Sequence, residues 1–330
     1  MNKNNIIIEI GNNDLIKFEN YNVVNIITVN DINIYKKIDY VLFHEDEIQF
    51  NNYLSFFTKY KPNILLKKFN NKNYNSLFIL MGYYIFKEFN EYIIINPLEN
   101  LKLYIPPEIT NIKIDIGLSY NAPQSNKWLL NNPNTYVIGI EPNPDNVLTI
   151  INKDIQQRDK SHAEPLLNKY INTNVIILPI ALDNVETITT MNFYCMERDS
   201  GTSSLLEPID INLGPIKKTI EVPVYPLSKI LELIDWNKYK YIDYIKVDAQ
   251  GSDLNIIKSA GNYLKEKVVY ITLEEEYKAY KNSTNNNLEE FDKYLNSQNF
   301  KRITHPNTSD PTYLNEKFID ISDTIYINQI

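Results

Sequence analysis

The sequence predicts an α/β protein built on a mostly parallel sheet with an antiparallel edge strand, preceded by a small α/β N-terminal domain. Three observations predict it. From about residue 111, short apolar runs alternate with segments of helical periodicity, the signature of a parallel sheet with crossover helices. Most of these runs end on an acid or a glycine, where open α/β sheets bind ligands. The last two runs have no helix between them, which permits an antiparallel pair. Pro106-Pro107 favours an extended connector and separates residues 1–102 from residues 103–330.

In the first unit, residues 6–10, 23–29, 38–43, 64–67 and 92–95 read as strands. Residues 47–60 and 74–89 read as helices, with apolar residues three and four apart. No recognisable site motif occurs there, so an accessory role in assembly or acceptor binding is expected. In the second unit the strands are 112–116, 136–140, 174–179, 241–247, 268–273, 300–304 and 324–328. The helices between them are 127–131, 144–159, 227–234, 253–265 and 288–295.

Composition sets the outer limits. Of 330 residues, 43% are hydrophobic and 22% charged, enough to bury a large core without disulfides. The single cysteine, Cys195, rules out an intrachain disulfide and a multi-thiolate zinc site, and suits the cytoplasm. A net charge of −8 argues against a general nucleic-acid binder, which needs a basic face. The apolar run 6–10 is too short for a secretory signal, and 77–86 is about half a membrane span, so no membrane span is expected. Asn, Ile, Lys and Tyr are abundant, a bias that AT-rich genomes write into proteins.

The strand ends carry the chemistry. Asp115-Ile116-Gly117 followed by Asn121 is a strand running into a glycine turn, where backbone amides can face a ligand; a plain tight turn would look the same. Glu141, in Gly139-Ile140-Glu141-Pro142-Asn143-Pro144, lies 26 residues after Asp115. An acid at the end of a second strand can accept both ribose hydroxyls. Ala181 and Asp183 follow the third strand, and Gly201-Thr202-Ser203-Ser204 is a small polar loop. Lys246 and Asp248 alternate along a strand end and so share a face, as a structural ion pair or as a base with its electrostatic partner.

Taken in order, D-I-G-x-x-x-N, G-I-E-P-N-P, P-I-A-L, G-T-S-S-L, P-L-S-K-I, I-K-V-D-x-Q-G and T-L-E-E-E resemble the FkbM family of S-adenosylmethionine-dependent methyltransferases, over about residues 103–330. The resemblance implies a class I methyltransferase (Rossmann-like) fold and O-methylation of a sugar or glycan-linked acceptor. It implies that Asp115, Gly117 and Asn121 surround the methionine part of S-adenosyl-L-methionine. Glu141 and Asn143 then meet the ribose, Ala181 and Asp183 lie near the adenine, Ser203 and Ser204 flank cofactor and acceptor, and Asp248 stands beside the transferred methyl. Two departures stand out: Gln250 where the family usually has Glu, and a first loop bulkier at Tyr120 and Pro123.

For the general base, Asp248 comes first, then Glu274 or Glu275, with His305 as a further candidate. Clustered carboxylates at 274–276 raise the question of a divalent cation, and no metal ligand is assigned. Two competing readings are a non-catalytic methyltransferase-like scaffold, favoured by Gln250, and an RNA methyltransferase, disfavoured by the acidity. The N-terminal domain offers a surface for homo-oligomerisation.

Overall fold

The computed structural model describes residues 6–10, 22–26, 40–43, 61–67, 78–79, 82–89, 92–155, 164–305 and 308–326. The chain forms two compact units, Met1–Tyr104 and Ile105–Ile330.

Among the described residues, the first unit is a six-stranded sheet. Its strands are β1 (Ile6–Ile10), β2 (Asn22–Ile26), β3 (Tyr40–Phe43), β4 (Asn63–Lys67), β5 (Tyr83–Phe89) and β6 (Tyr92–Pro97). The order is β2-β1-β3-β4-β6-β5, parallel through β4 and antiparallel beyond it. The helix expected over 74–89 is corrected over 83–89; 78–79 are helical, and 74–77 and 80–81 lie outside the described residues. The chain turns at Gly82, and 83–89 pair with β6 as a hairpin strand. Leu77, Phe78, Met81, Tyr84 and Ile85 fall at helical spacing in the sequence, but the aromatic and β-branched side chains of 83–86 suit a pleated surface, and pairing decided the outcome. The helix expected over 47–60 lies outside the described residues.

The second unit contains β7 (Asn111–Ile116), α1 (Pro123–Asn131), β8 (Thr135–Ile140), α2 (Pro144–Ile151), β9 (Val175–Leu178), β10 (Ala181–Leu182), β11 (Thr189–Met196) and β12 (Ile216–Tyr225). Then come α3 (Leu227–Leu231), β13 (Ile242–Val247), α4 (Asp253–Lys258), α5 (Asn262–Lys267), β14 (Val268–Thr272), α6 (Leu288–Ser297), β15 (Phe300–Arg302), β16 (Thr312–Asn315) and α7 (Ile319–Tyr326). The main sheet runs β15-β16-β14-β13-β7-β8-β9. It is parallel from β14 to β9, and β16 runs antiparallel to both its neighbours in the edge pair. This is the Rossmann-like class I arrangement. Strands β7 and β8 are buried along nearly their whole length, as a sheet covered on both faces requires.

Three departures from the sequence expectation change an element rather than trim its ends by a few residues. The second helix of this unit ends at Ile151 rather than near 159, and Lys153 turns the chain with φ 60°. The span 253–265 is two helices, not one, because Gly261 takes φ +58° between them. Among the described residues the final strand is β16; 324–326, expected as the start of a strand, belong to α7, and 327–328 lie outside the described residues. Its Ile325 is buried against Val269 and Tyr270 with Ile321, one turn earlier, packed against the same cluster, so these two serve a helical face, while Ile319 is exposed.

A second sheet, β10-β12-β11, was not expected. Strands β11 and β12 are antiparallel, and β10 adds parallel to β12. Apolar residues alternate at Ile216, Ile220, Val222 and Val224, a period-2 signal that was legible. Its inner face packs Ala181, Phe193, Cys195, Leu205, Val222 and Val224 together. Between β11 and β12 the chain makes the excursion 197–215, fastened at Ile209 N–H to the Ala279 carbonyl (2.8 Å) and at the Glu207 carbonyl to Lys281 N–H (2.8 Å).

Candidate functional site

The carboxyl ends of β7, β8 and β13 open into a cleft with two lobes. The first encloses about 550 Å³ including its mouth. Its walls are mainly apolar, with Ile140, Pro142, Ala181, Leu182, Phe193 and Leu205 around the buried acid Glu141, and Asp248 at its edge. The second is wider, about 1530 Å³ including its mouth, and polar. Asp115, Asn121, Lys127, Glu164, Asp199, Lys246 and Gln250 line it. Gly117, Ser119, Gly201 and Asp248 line both lobes, so the two meet there.

Glycine is required at 117. Its φ is +85°, and a Cβ would lie 1.9 Å from the Asp248 carbonyl oxygen. The ends of β7 and β13 thus touch through backbone, which brings Asp248 to the waist of the cleft. Glu141 is buried at the end of β8. Its carboxylate accepts the Ser119 amide (2.8 Å) and the Asn143 amide (2.8 Å). Burial nevertheless pushes its pKa up to about 7, the amides offsetting part of the cost.

Asp115 is buried, accepts the Ser125 hydroxyl at 2.6 Å and is raised by burial against the pull of Lys246. Lys246 donates to Asp248 Oδ2 at 2.9 Å. The two carboxylates Asp248 and Asp115 outweigh its desolvation and hold it protonated. Gln250 Nε2 lies 2.8 Å from Asp248 Oδ1 and 2.7 Å from Glu274 Oε2, and gives one N–H to each. Burial, and after it the charge of Asp248, raises Glu274. Burial alone would raise Asp248 too, but Lys246 and the donated hydrogen bonds bring it below the usual carboxylate range. One acid of the pair is ionised and the other carries its proton. The Tyr280 hydroxyl closes the network, 2.7 Å from the Thr202 carbonyl and 3.0 Å from Gln250 Oε1.

A sequence model of the methyltransferase FkbM domain matches residues 111–302, more than half of the chain. The chain belongs to the FkbM methyltransferase family. Two solved structures resemble this FkbM protein. One is an antibiotic-related methyltransferase, 13% identical over 62% of this chain and 86% of that one, with a TM-score of 0.26. The other is Haemonchus contortus phosphoethanolamine N-methyltransferase 2 in complex with S-adenosyl-L-methionine, 7% identical over 97% of this chain and 78% of that one, with a TM-score of 0.36. Neither likeness is close enough to carry an argument. No curated protein sequence matches this chain.

The FkbM domain gathers most of the residues singled out from sequence. Asp115, Gly117, Asn121, Glu141, Ala181, Ser203 and Asp248 all line the cleft. Ser204 lies behind it, donating to the Gln250 carbonyl at 2.9 Å and accepting the Leu206 amide at 3.0 Å. Asn143 is buried and caps α2 through the Asp145 amide, 3.1 Å away. Asp183 lines neither lobe; its carboxylate takes the Asn184 amide at 2.7 Å. Glu274 joins the site through Gln250. Glu275 does not: its side chain accepts the Leu288 amide at the start of α6. His305 is exposed and lines neither lobe. Among the described residues no group of three or more His, Cys, Asp and Glu is arranged to hold a metal ion.

Several members of the site were missed. Ser119 supplies an amide to Glu141, Tyr280 reaches in from beyond β14, and Phe193 and Leu205 wall the apolar lobe. Asp253, buried at the head of α4, accepts the Glu274 amide at 2.9 Å and the Ala249 amide at 3.3 Å. Burial pushes its carboxyl up to about 7. Its position straight after the β13 turn was the one legible signal among these.

Proposed function

We propose that this protein is an S-adenosyl-L-methionine-dependent O-methyltransferase whose acceptor is a hydroxyl of a sugar or glycan-linked small molecule. The observation that carries the reading is the two-lobed cleft whose waist is Gly117 and Asp248. An apolar slot holding one buried acid suits a nucleoside, and a charged, wider lobe suits a zwitterionic tail and a polar acceptor. The residues present fit the cofactor. Glu141 has lone pairs to accept ribose hydroxyls, Ala181, Leu182 and Phe193 suit the faces of a purine, and Asp115, Asn121 and Lys246 face the amino-acid end. When bound, the cofactor supplies an electrophilic methyl group on a sulfonium.

The chain's own part is positioning and proton management. Asp248 is ionised at neutral pH and takes the acceptor's hydroxyl proton. Lys246 and Gln250 hold its two oxygens, so its orientation is set before the acceptor arrives. Glu274, which keeps its own proton, steadies that arrangement through Gln250. Gln250 therefore has a positive role, which weakens the scaffold reading that its replacement of an acid suggested. The net charge of −8 weakens an RNA acceptor. Residues 1–102 serve assembly, including a homo-oligomer, or acceptor binding. The single buried Cys195 suits a cytoplasmic setting.

Calorimetric titration with S-adenosyl-L-methionine and S-adenosylhomocysteine tests the first half. Binding is expected to weaken by about 2 kcal/mol in Glu141→Ala, as charge-assisted hydrogen bonds are lost. Failure of the wild type to bind either ligand would sink the assignment. For the second half, Asp248→Asn is expected to retain S-adenosylhomocysteine while losing at least ~100-fold in kcat on a hydroxylated acceptor. Undiminished turnover would remove Asp248 as the base.

A further inference from the structure

Two residues of the apolar lobe's wall carry hydroxyls with no partner. Ser200 and Ser252 both line it, and the Oγ atoms of both are buried without a hydrogen bond. Ser252 is 1% exposed. They arrive from separate elements, Ser200 from the excursion after β11 and Ser252 from the turn between β13 and α4. Ser252 stands at the cap position of α4, where a serine hydroxyl ordinarily accepts an amide of the first turn, yet it makes no such bond. Its hydroxyl therefore does nothing for the helix. A buried hydroxyl left unpaired is costly, so a site that keeps two of them in an apolar slot is shaped for a ligand with matching polar atoms.

We infer that Ser252, together with Ser200, forms the hydrogen-bonding edge of the nucleoside slot and reads polar atoms of a purine nucleoside. The inference rests on the cofactor reading above and adds specificity residues to it. The apolar walls, Ile140, Ala181, Leu182, Phe193 and Ile256, grip any flat ring of suitable size. They cannot distinguish one base from another. Hydroxyls that pair only with the correct edge can, because a ligand lacking the partner leaves them unpaired again.

The test compares wild type with Ser252→Ala and Ser200→Ala by calorimetry and thermal melting. The probes are S-adenosylhomocysteine, 5′-methylthioadenosine, which lacks the amino-acid tail, and the inosine analogue of S-adenosylhomocysteine. Ser252→Ala is expected to bind S-adenosylhomocysteine and methylthioadenosine about tenfold more weakly, and to prefer adenine over hypoxanthine less. Its melting temperature without ligand is expected to hold or rise, because an unpaired buried hydroxyl has been removed. Unchanged affinity, or a loss seen only with the tailed ligand, overturns the inference. So does a drop in melting temperature that accounts for the weaker binding. If wild type binds none of the probes, the cofactor reading itself fails.

Discussion

Glu141 shows how one residue's surroundings decide its behaviour. Two backbone amides, those of Ser119 and Asn143, point at its carboxylate, yet burial still lifts its pKa to about 7. A ribose donating two hydroxyls favours the ionised form. Affinity for S-adenosylhomocysteine should therefore rise as pH climbs through about 7 and level off above it. The sign for stability is opposite. A carboxyl raised in the folded state favours folding most below its unfolded pKa near 4.5, and that advantage is lost as pH rises through about 7. Glu141→Gln should flatten the pH profile of affinity between pH 6 and 8. Calorimetry across that range is the check, and an unaltered slope in the variant would show that another group titrates. Residue scale is also where sequence reading was most selective. Glu141 and Asp248 were legible because strand ends in a parallel sheet converge. Glu275 and His305 were misleading, because an acid one residue further along serves a helix start and a histidine in a loop stays exposed.

Among the elements, β7 and β13 bear most on the site. Their ends touch at Gly117 and Asp248, and lower down they bury a pair of opposite charges. Lys113 is 1% exposed and lies 5.2 Å from the centre of the Trp128 ring; Asp243 is 4% exposed. Burial pulls the lysine down and pushes the aspartate up, while the attraction between them opposes both shifts. Lys113→Met should strand Asp243 and cost about 3 kcal/mol, and adding Asp243→Leu should recover most of it. Urea unfolding of both variants measures this; a double variant no more stable than the single would show that the charges do not act as a pair. The elements also show why local patterns fail. Apolar spacing in 83–89 and 319–326 fits more than one period, and the choice came from the partner strand in one case and a helical packing face in the other.

For the whole molecule, the division into Met1–Tyr104 and Ile105–Ile330 carries a prediction. The cleft described above is built entirely from residues between Asp115 and Ile256, with Glu274 and Tyr280 behind it. A fragment starting at Ile105 should fold cooperatively and bind S-adenosylhomocysteine within about threefold of the full chain, since no residue named in the cleft is removed. Circular dichroism melts and calorimetry on the fragment decide this. An unfolded fragment would make the first unit part of the folding core, and a folded fragment that does not bind would make it part of the site. None of the described helices is long and apolar enough to cross a membrane.

The sequence by itself determined the order of the parallel strands β7, β8, β9, β13 and β14 and of the helical segments between them, the glycine turn after β7 and the acids at the ends of β8 and β13. These are local: each is written in a run of about six residues, in its periodicity or its end residue. Only the tertiary structure decided the rest. It made 83–89 a strand and 319–326 a helix, roofed the cleft with β10-β12-β11, and set Gln250 between Asp248 and Glu274 with Tyr280 behind it. Those features join residues distant in sequence. Their free energy lies in pairing, burial and shared protons, which arise only when the chain closes on itself.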